Sequence, residues 1–238
     1  MDPRIALVVA LGAYLLGAIS FTRIALRLLG STSSTADEAV PIRVPESEDT
    51  FQYTSVGATA IGMHHGGRVG CLVGMLDMAK VGLPVLALRI WQPDQPYFLL
   101  AAVFGMVGHV WPVYYRFRGG RGFSSIYGGF LAIDPLGAIV TSIGGLLGGI
   151  FLLRNFALAY FLGMWLMIPW LWFSTRQLPY LLYALAVNVL YILGSIPEIR
   201  QMRKFRKEAF SSLRASMEPW PMGKAILKMT DRAGIRIR

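Results

Sequence analysis

Long apolar runs dominate this sequence, and each is long enough to cross the hydrocarbon core of a bilayer, which takes about 20 apolar residues in a helix. The first such run extends from Ile5 to Gly30. Hydrophobic residues make up 55% of the 238 residues and charged residues 15%, which excludes an ordinary soluble domain and disorder. Cys71 is the single cysteine, so a disulfide scaffold is excluded as well. We therefore predict an all-α fold, a polytopic membrane helical bundle.

Polar breaks divide these runs into seven predicted crossings. The run from Phe123 to Leu153 is too long for one crossing, and proline at Asp134–Pro135 interrupts it, so a short fourth helix precedes a full one. Arg23 and Arg27 near the far end of the first run favour a retained span over a cleaved signal peptide. The predicted runs are Ile5–Gly30, Val69–Ile90, Tyr97–Tyr115, Phe123–Leu153, Phe156–Phe173 and Leu178–Leu193.

Basic residues accumulate in every second connection, which is typical of loops that face the cytoplasm. The pattern predicts a multi-pass protein of the cell membrane with its amino terminus outside and its carboxyl terminus in the cytoplasm. The net charge of +10 suits anionic lipids of the inner leaflet and anionic substrates equally well. The basic residues are Arg23, Arg27, Arg43 and Arg68, then Arg116, Arg118 and Arg121, then Arg154, and finally eleven Lys and Arg after Pro197.

Two polar segments stand apart from a predicted transmembrane domain of residues 1–197. Residues 31–54 contain five acidic residues and two prolines, and we predict an inserted cytoplasmic loop. Residues 198–238 form a basic cytoplasmic tail whose apolar residues favour an amphipathic element at the membrane surface. A solvated tail that only enforces topology is the alternative. Within the fifth span, Gly144–Gly149 carries paired small residues that predict close helix packing.

The strongest local pattern is a basic, glycine-rich loop between the third and fourth predicted spans. Glycines let backbone N–H groups converge on one point, and the helix that follows adds the positive end of its dipole. A phosphate or carboxylate would suit this loop, whereas a basic cytoplasmic loop with glycines at its turns is the alternative. The candidate residues are Arg116, Arg118, Gly119, Gly120, Arg121, Gly122, Ser124 and Ser125.

A second polar group surrounds the start of the second span. The segment Ser55–Thr59 precedes this span, and Asp77 and Lys80 lie three residues apart on one face within it. Ionisable groups at this depth face a polar cavity or neutralise each other, and both interpretations stay open. His64 and His65 point in different directions and lack Cys or acidic partners at helical spacing, so we expect no metal site.

Together these patterns resemble the membrane-integral bacterial acyl-phosphate:glycerol-3-phosphate acyltransferase family (PlsY-type). Gly108–Gly122 is similar to its signature GH-x-F/W-P-V followed by K/R-F-K/R-GG-K/R-G. Ser55–Thr59, Asp77, Lys80 and Pro84 keep the order and spacing of GSGN-x-GATN-x-x-R and LD-x-x-KG-x-x-P. Two separated signatures in register make this resemblance specific.

The chain also departs from the resembled signatures. Ala60 and Met63 stand where the family has Asn and Arg, and Ser55 replaces the Asn before GAT. Arg43 is the candidate for the family's upstream arginine if the loop carries an insertion. The third signature, H-R-x-N-I-x-R, is reduced to Ser195–Arg200, without its His and Asn.

The resemblance implies transfer of a fatty acyl group from acyl phosphate to the primary hydroxyl of glycerol 3-phosphate, giving lysophosphatidate for phospholipid synthesis. His109 is a candidate base, although the substrate's own phosphate could take the proton instead. No H-x-x-x-x-D motif follows a histidine, which argues against thioester donors. The implied catalytic residues are His109, Ser55 and Thr59, and the implied substrate-binding residues are Arg43, Gly57, Ala58, Asp77 and Lys80 together with those of the glycine-rich loop.

Two other functions stay open at this point. Loss of the third signature favours a family member with a changed acceptor or without catalysis. Span count and basic loops alone would also fit a small membrane transporter or an assembly factor, although the halves show no convincing repeat. We expect acyl phosphate, glycerol 3-phosphate and anionic lipids as partners, with no cofactor, metal or nucleic acid.

Overall fold

A computed structural model describes residues 1–30, 40–43, 50–202, 214, 217–218 and 221–232. Helices make up most of this part of the chain, which confirms the helical membrane bundle. Strands β1 (Val40–Arg43) and β2 (Thr50–Tyr53) form an antiparallel hairpin in the segment for which the sequence predicted only a loop. Residues 31–39 and 44–49, which contain the five acidic residues of this segment, lie outside the described residues.

Ten α-helices are described along the chain. In order they are α1 (Pro3–Gly17), α2 (Phe21–Leu28), α3 (Ala58–His65), α4 (Gly67–Trp91), α5 (Tyr97–Val110), α6 (Phe123–Ile133), α7 (Pro135–Leu147), α8 (Phe156–Thr175), α9 (Leu178–Met202) and α10 (Pro221–Arg232). A 3-10 turn at Val113–Tyr115 follows α5, and a π turn at Gly148–Leu152 extends α7.

Five described segments are long and apolar enough to cross a membrane, and two shorter apolar helices accompany them. The five are Pro3–Leu28, Gly67–Trp91, Tyr97–Tyr115, Pro135–Leu152 and Leu178–Arg200, and the shorter two are Phe123–Ile133 and Phe161–Thr175. The break at Asp134 is confirmed, because its carboxylate caps α7 by accepting from the Gly137 N–H at 2.8 Å and also accepts from the Trp170 indole at 2.7 Å.

The bounds of two predicted runs differ from the structure. The first run is divided at Ala18–Ser20, where Ser20 caps the amphipathic helix α2. Arg23 of α2 is buried rather than lying in a polar connection. Helix α9 passes through Pro197 and ends at Met202, so the predicted boundary between bundle and tail falls inside a helix. Residues 203–213 of the predicted tail lie outside the described residues.

Small residues let the helices approach closely at several crossings. Gly17 of α1 packs directly on Gly105 of α5. Gly145 of α7 packs on Gly163 of α8, and Gly149 packs on Ala159, which confirms the predicted role of the paired glycines. Larger side chains from α4, α5, α6, α8 and α9 fill the core, including Val85, Met106, Phe130, Leu171 and Val187.

The two ends of the bundle have different polar contacts. At one end the Arg23 guanidinium of α2 donates to the Arg118 carbonyl at 3.0 Å, and the Val56 N–H donates to the Gly119 carbonyl at 3.4 Å, so the first and third connections meet. At the other end the Asp2 N–H donates to the Tyr97 hydroxyl at 2.8 Å, which brings the amino terminus to the start of α5. The first and third connections therefore share one end of the bundle, and the amino terminus lies at the other.

Candidate active site

A cavity of about 1240 Å³ opens between the ends of α3, α4, α5 and α6 and the sides of α8 and α9. Its polar lining comes from the first and third connections and from α3, α4, α5, α6 and α9, and its apolar lining comes mainly from α8 and the turn before it. The polar residues include Tyr53, Ser55, Thr59, Asp77, His109, Arg121, Ser124, Ser195 and Glu198. The apolar residues include Leu153, Leu158, Phe161, Leu162 and Trp165.

A buried charged cluster forms the floor of the polar part. The Lys80 ammonium lies 2.8 Å from the Asp77 carboxylate one helical turn away, and it donates to the Ile19 carbonyl at 2.6 Å. It also lies 2.9 Å from His109 Nδ1. Since an ammonium only donates, Nδ1 accepts and His109 Nε2 carries the ring hydrogen. In this tautomer His109 Nε2 is a hydrogen-bond donor.

The glycine-rich loop folds back onto the end of α5. The Gly120 N–H donates to the His109 carbonyl at 3.2 Å, and the Gly119 carbonyl accepts from the Val56 N–H at 3.4 Å. A Cβ at Gly120 would run into His109 Nε2. The Gly120 N–H therefore already has a hydrogen-bond acceptor within the protein. This differs from the expectation that it faces a bound anion.

Two helix amino termini border the cavity. Gly57 precedes α3 and Gly122 precedes α6, and no side chain caps either helix by a hydrogen bond. Gly122 has φ +88°, a left-handed conformation that glycine adopts without strain. The first N–H groups of a helix lack intrahelical partners, and the helix dipole adds positive potential there. Both termini therefore favour an anion in this part of the cavity.

Arg121 joins the glycine-rich loop to α9. Its guanidinium donates to the Gly194 carbonyl at 2.6 Å and to the Thr54 hydroxyl at 3.2 Å, and it forms an ion pair with Glu198. The Thr54 hydroxyl donates to the same Glu198 carboxylate at 3.1 Å. The hairpin, the glycine-rich loop and the end of α9 thus meet at one ion pair beside the cavity.

Tyr53 follows the hairpin into the same region. Burial raises the pKa of its phenol, and a hydrogen bond with Ser55 acts in the opposite direction. Because the ordinary phenol pKa is already near 10, the raised value keeps Tyr53 protonated at neutral pH. Its hydroxyl is therefore neutral where it forms hydrogen bonds with Ser55 and Thr59 at the cavity wall.

The structure brings most of the predicted site residues together. Those lining the cavity are Ser55, Gly57, Ala58, Thr59, Asp77, His109, Arg121, Gly122 and Ser124. Lys80 lies behind Asp77, and Ser125 is fully buried. Arg116 and Arg118 are exposed and do not line the cavity. The side chain of Arg43 lies outside the description, although its backbone pairs with Thr50 in the hairpin.

Several residues of the site were not predicted from the sequence. Tyr53 and Thr54 lack a local pattern that would single them out. Ser195 and Glu198 were detectable, because they occupy the degenerate third signature, where the resembled pattern has His and Asn. Ala60 and Met63, the two departures on α3, do not line the cavity.

The fold and the cavity define a polytopic helical membrane protein in which helix amino termini and a long apolar wall face one cavity. The chain belongs to the glycerol-3-phosphate acyltransferase family, whose profile matches residues 43–205, more than half of the chain. This confirms the resemblance drawn from the two signatures.

Solved structures and sequence relatives agree with this membership. PlsY (YgiH), an integral membrane glycerol 3-phosphate acyltransferase, superposes in its lysophosphatidic acid form with a TM-score of 0.67, at 26% identity over 84% of this chain and 92% of that chain. Its glycerol 3-phosphate form gives 0.66 and 27%. A glycerol-3-phosphate acyltransferase of Pseudomonas syringae pv. tomato is 29% identical over 76% of this chain and 84% of its own length. One of Anaeromyxobacter sp. is 33% identical over 37% of this chain, and the match spans about half of that relative, 46%.

Proposed function

We propose that this chain transfers a fatty acyl group from acyl phosphate to the primary hydroxyl of glycerol 3-phosphate, giving lysophosphatidate. The observation that carries the proposal is the cavity, which combines two helix amino termini and Arg121 with an apolar wall. The polar part suits phosphate groups, and the wall along α8 suits an acyl chain. The forms in which PlsY superposes on this chain, with glycerol 3-phosphate and with lysophosphatidic acid, support the same substrate and product.

In this reaction the hydroxyl oxygen attacks the acyl carbonyl carbon, the bond from that carbon to the phosphate oxygen breaks, and phosphate leaves. Acyl phosphate is already activated, so alignment and charge stabilisation are the main tasks of the protein. The first N–H groups of α3 and α6 and the guanidinium of Arg121 would stabilise phosphate charge. His109 would donate from Nε2, and a substrate phosphate would take the hydroxyl proton.

The proposed orientation places the cavity's polar part at the cytoplasmic end of the bundle, with the amino terminus outside. The hydrogen bond from the Val56 N–H to the Gly119 carbonyl, which joins the first and third connections, and the basic character of both connections support this placement. Cytosolic glycerol 3-phosphate would then reach the polar part directly. Anionic lipids of the inner leaflet would surround the same end.

A direct assay tests the proposed activity. Purified protein is incubated with palmitoyl phosphate and labelled glycerol 3-phosphate, and we expect labelled lysophosphatidate. Lys80→Met serves as the inactive control, because it leaves Asp77 buried without its partner and removes the donor to His109. Absence of product from folded wild-type protein, with hydrolysis or binding of acyl phosphate retained, would favour a changed acceptor and contradict the proposal.

A further inference from the structure

The positive charge of Arg121 is already neutralised by an ion pair within the protein. Its guanidinium is ion-paired with Glu198, and the side chains of the two residues are 16% and 9% exposed. A buried pair of this kind is little screened by solvent or salt. A substrate phosphate that needs Arg121 must therefore compete with the Glu198 carboxylate.

The rest of the described cavity lining supplies no unpaired cation. Its charged residues are Asp77, Arg121 and Glu198, and Asp77 is paired with Lys80 behind the wall. His109, the remaining titratable side chain of this floor, accepts from Lys80. Phosphate monoesters carry up to two negative charges near neutral pH. Glu198 is thus the group whose charge most directly opposes such a ligand beside Arg121.

Arg121 does not depend on Glu198 for its position. The Gly194 carbonyl at 2.6 Å and the Thr54 hydroxyl at 3.2 Å hold the same guanidinium. Arg121 and the Thr54 hydroxyl both contact one Glu198 oxygen, Oε1, whereas its Oε2 atom is buried without a hydrogen-bond partner in the described structure. Neutralising Glu198 would therefore release the charge of Arg121 while leaving the guanidinium in place.

We propose that Glu198 is a specificity-determining residue, which competes with phosphate monoesters for Arg121 and so sets the affinity of the cavity for them. The proposal rests on the proposed function for the identity of the substrates, glycerol 3-phosphate and acyl phosphate. A carboxylate and a phosphate would compete for the Arg121 guanidinium whichever phosphate-bearing ligand enters the cavity. Charge-assisted contacts of this kind are the stronger class of hydrogen bond.

A double-mutant cycle tests this competition. Glu198→Gln, Arg121→Gln and the double variant are compared with wild type for binding of inorganic phosphate by calorimetry in detergent, and for the KM values of glycerol 3-phosphate and palmitoyl phosphate. We expect Glu198→Gln to tighten phosphate binding about tenfold and to lower at least one KM by a similar factor. This increase in phosphate affinity should be absent when Glu198→Gln is combined with Arg121→Gln, because it depends on an Arg121 guanidinium that no longer pairs with Glu198.

Glu218→Gln is the matched control, since Glu218 pairs with Arg214 at 3.5 Å on the surface and does not line the cavity. It should leave phosphate binding unchanged. A tighter affinity cannot arise from misfolding, so a gain in Glu198→Gln that needs Arg121 supports the proposal. Unchanged or weaker phosphate binding, or a gain that persists without Arg121, would overturn it. If wild type transfers no acyl group, the proposed function fails, while the phosphate titration still decides this proposal.

Discussion

At the scale of single residues, Gly120 shows why the glycine-rich loop cannot accept larger residues. Its N–H is bonded to the His109 carbonyl, and the space for a Cβ is taken by His109 Nε2 and by the Val56 carbonyl at 3.0 Å. The glycine therefore allows the loop to lie directly on the imidazole. Its role in the site is to position His109, which in turn contacts Lys80.

We expect Gly120→Ala to displace the imidazole and to destabilise the protein by roughly 1–3 kcal/mol, the usual cost of overpacking a close contact. Both the melting temperature in detergent and kcat/KM for acyl transfer should fall. Gly12→Ala provides the control, because no atom lies within 4 Å of a Cβ at Gly12. Equal melting temperatures for the two variants would show that the loop can move away from His109.

At the scale of elements, the pairing of α7 with α8 depends on which glycines face the backbone of the partner helix. A Cβ at Gly145 would meet the backbone of Gly163 and the Ala159 carbonyl, the latter at 2.9 Å. A Cβ at the adjacent Gly144 would meet only the end of the Leu166 side chain, at 3.2 Å. A side-chain terminus can rotate away, whereas a helix backbone moves only if the two helices separate.

Gly145→Ala should therefore lower the stability of the bundle by about 2 kcal/mol or more, within the range for overpacked helix contacts. Gly144→Ala should change it by less than about 0.5 kcal/mol, as surface substitutions do. Thermal unfolding of both purified variants in one detergent measures the difference. The reverse order of stabilities would mean that α7 is rotated relative to the packing described above.

At the scale of the whole molecule, alternating connections place the site at one end of the bundle. Tyr114 lies in the loop after α5 at the basic end, whereas Arg176 lies between α8 and α9 at the other end; both are exposed. Because basic loops stay in the cytoplasm, these two positions should lie on opposite sides of the membrane. Each can carry a probe without touching the described cavity lining.

Cysteine labelling in whole cells tests this orientation. In a Cys71→Ser background, we expect Arg176→Cys to react with a membrane-impermeant thiol reagent in intact cells. Tyr114→Cys should react only after the membrane is permeabilised. The parent Cys71→Ser protein controls for background labelling. Labelling of Tyr114→Cys in intact cells, with Arg176→Cys protected, would reverse the orientation and place the cavity's polar part outside.

The sequence by itself determined the helical membrane bundle, the break at Asp134 and the family, because apolar runs, proline and glycine act locally along the chain. It also singled out residues that the structure places in the lining of the cavity, between Ser55 and Asp77 and between His109 and Ser124. Only the tertiary structure decided that Arg121 pairs with Glu198 and that the Gly120 N–H is used by His109. These contacts join residues far apart in the chain, so the packing of α5, α6 and α9 had to be known before their charges and hydrogen bonds could be assigned.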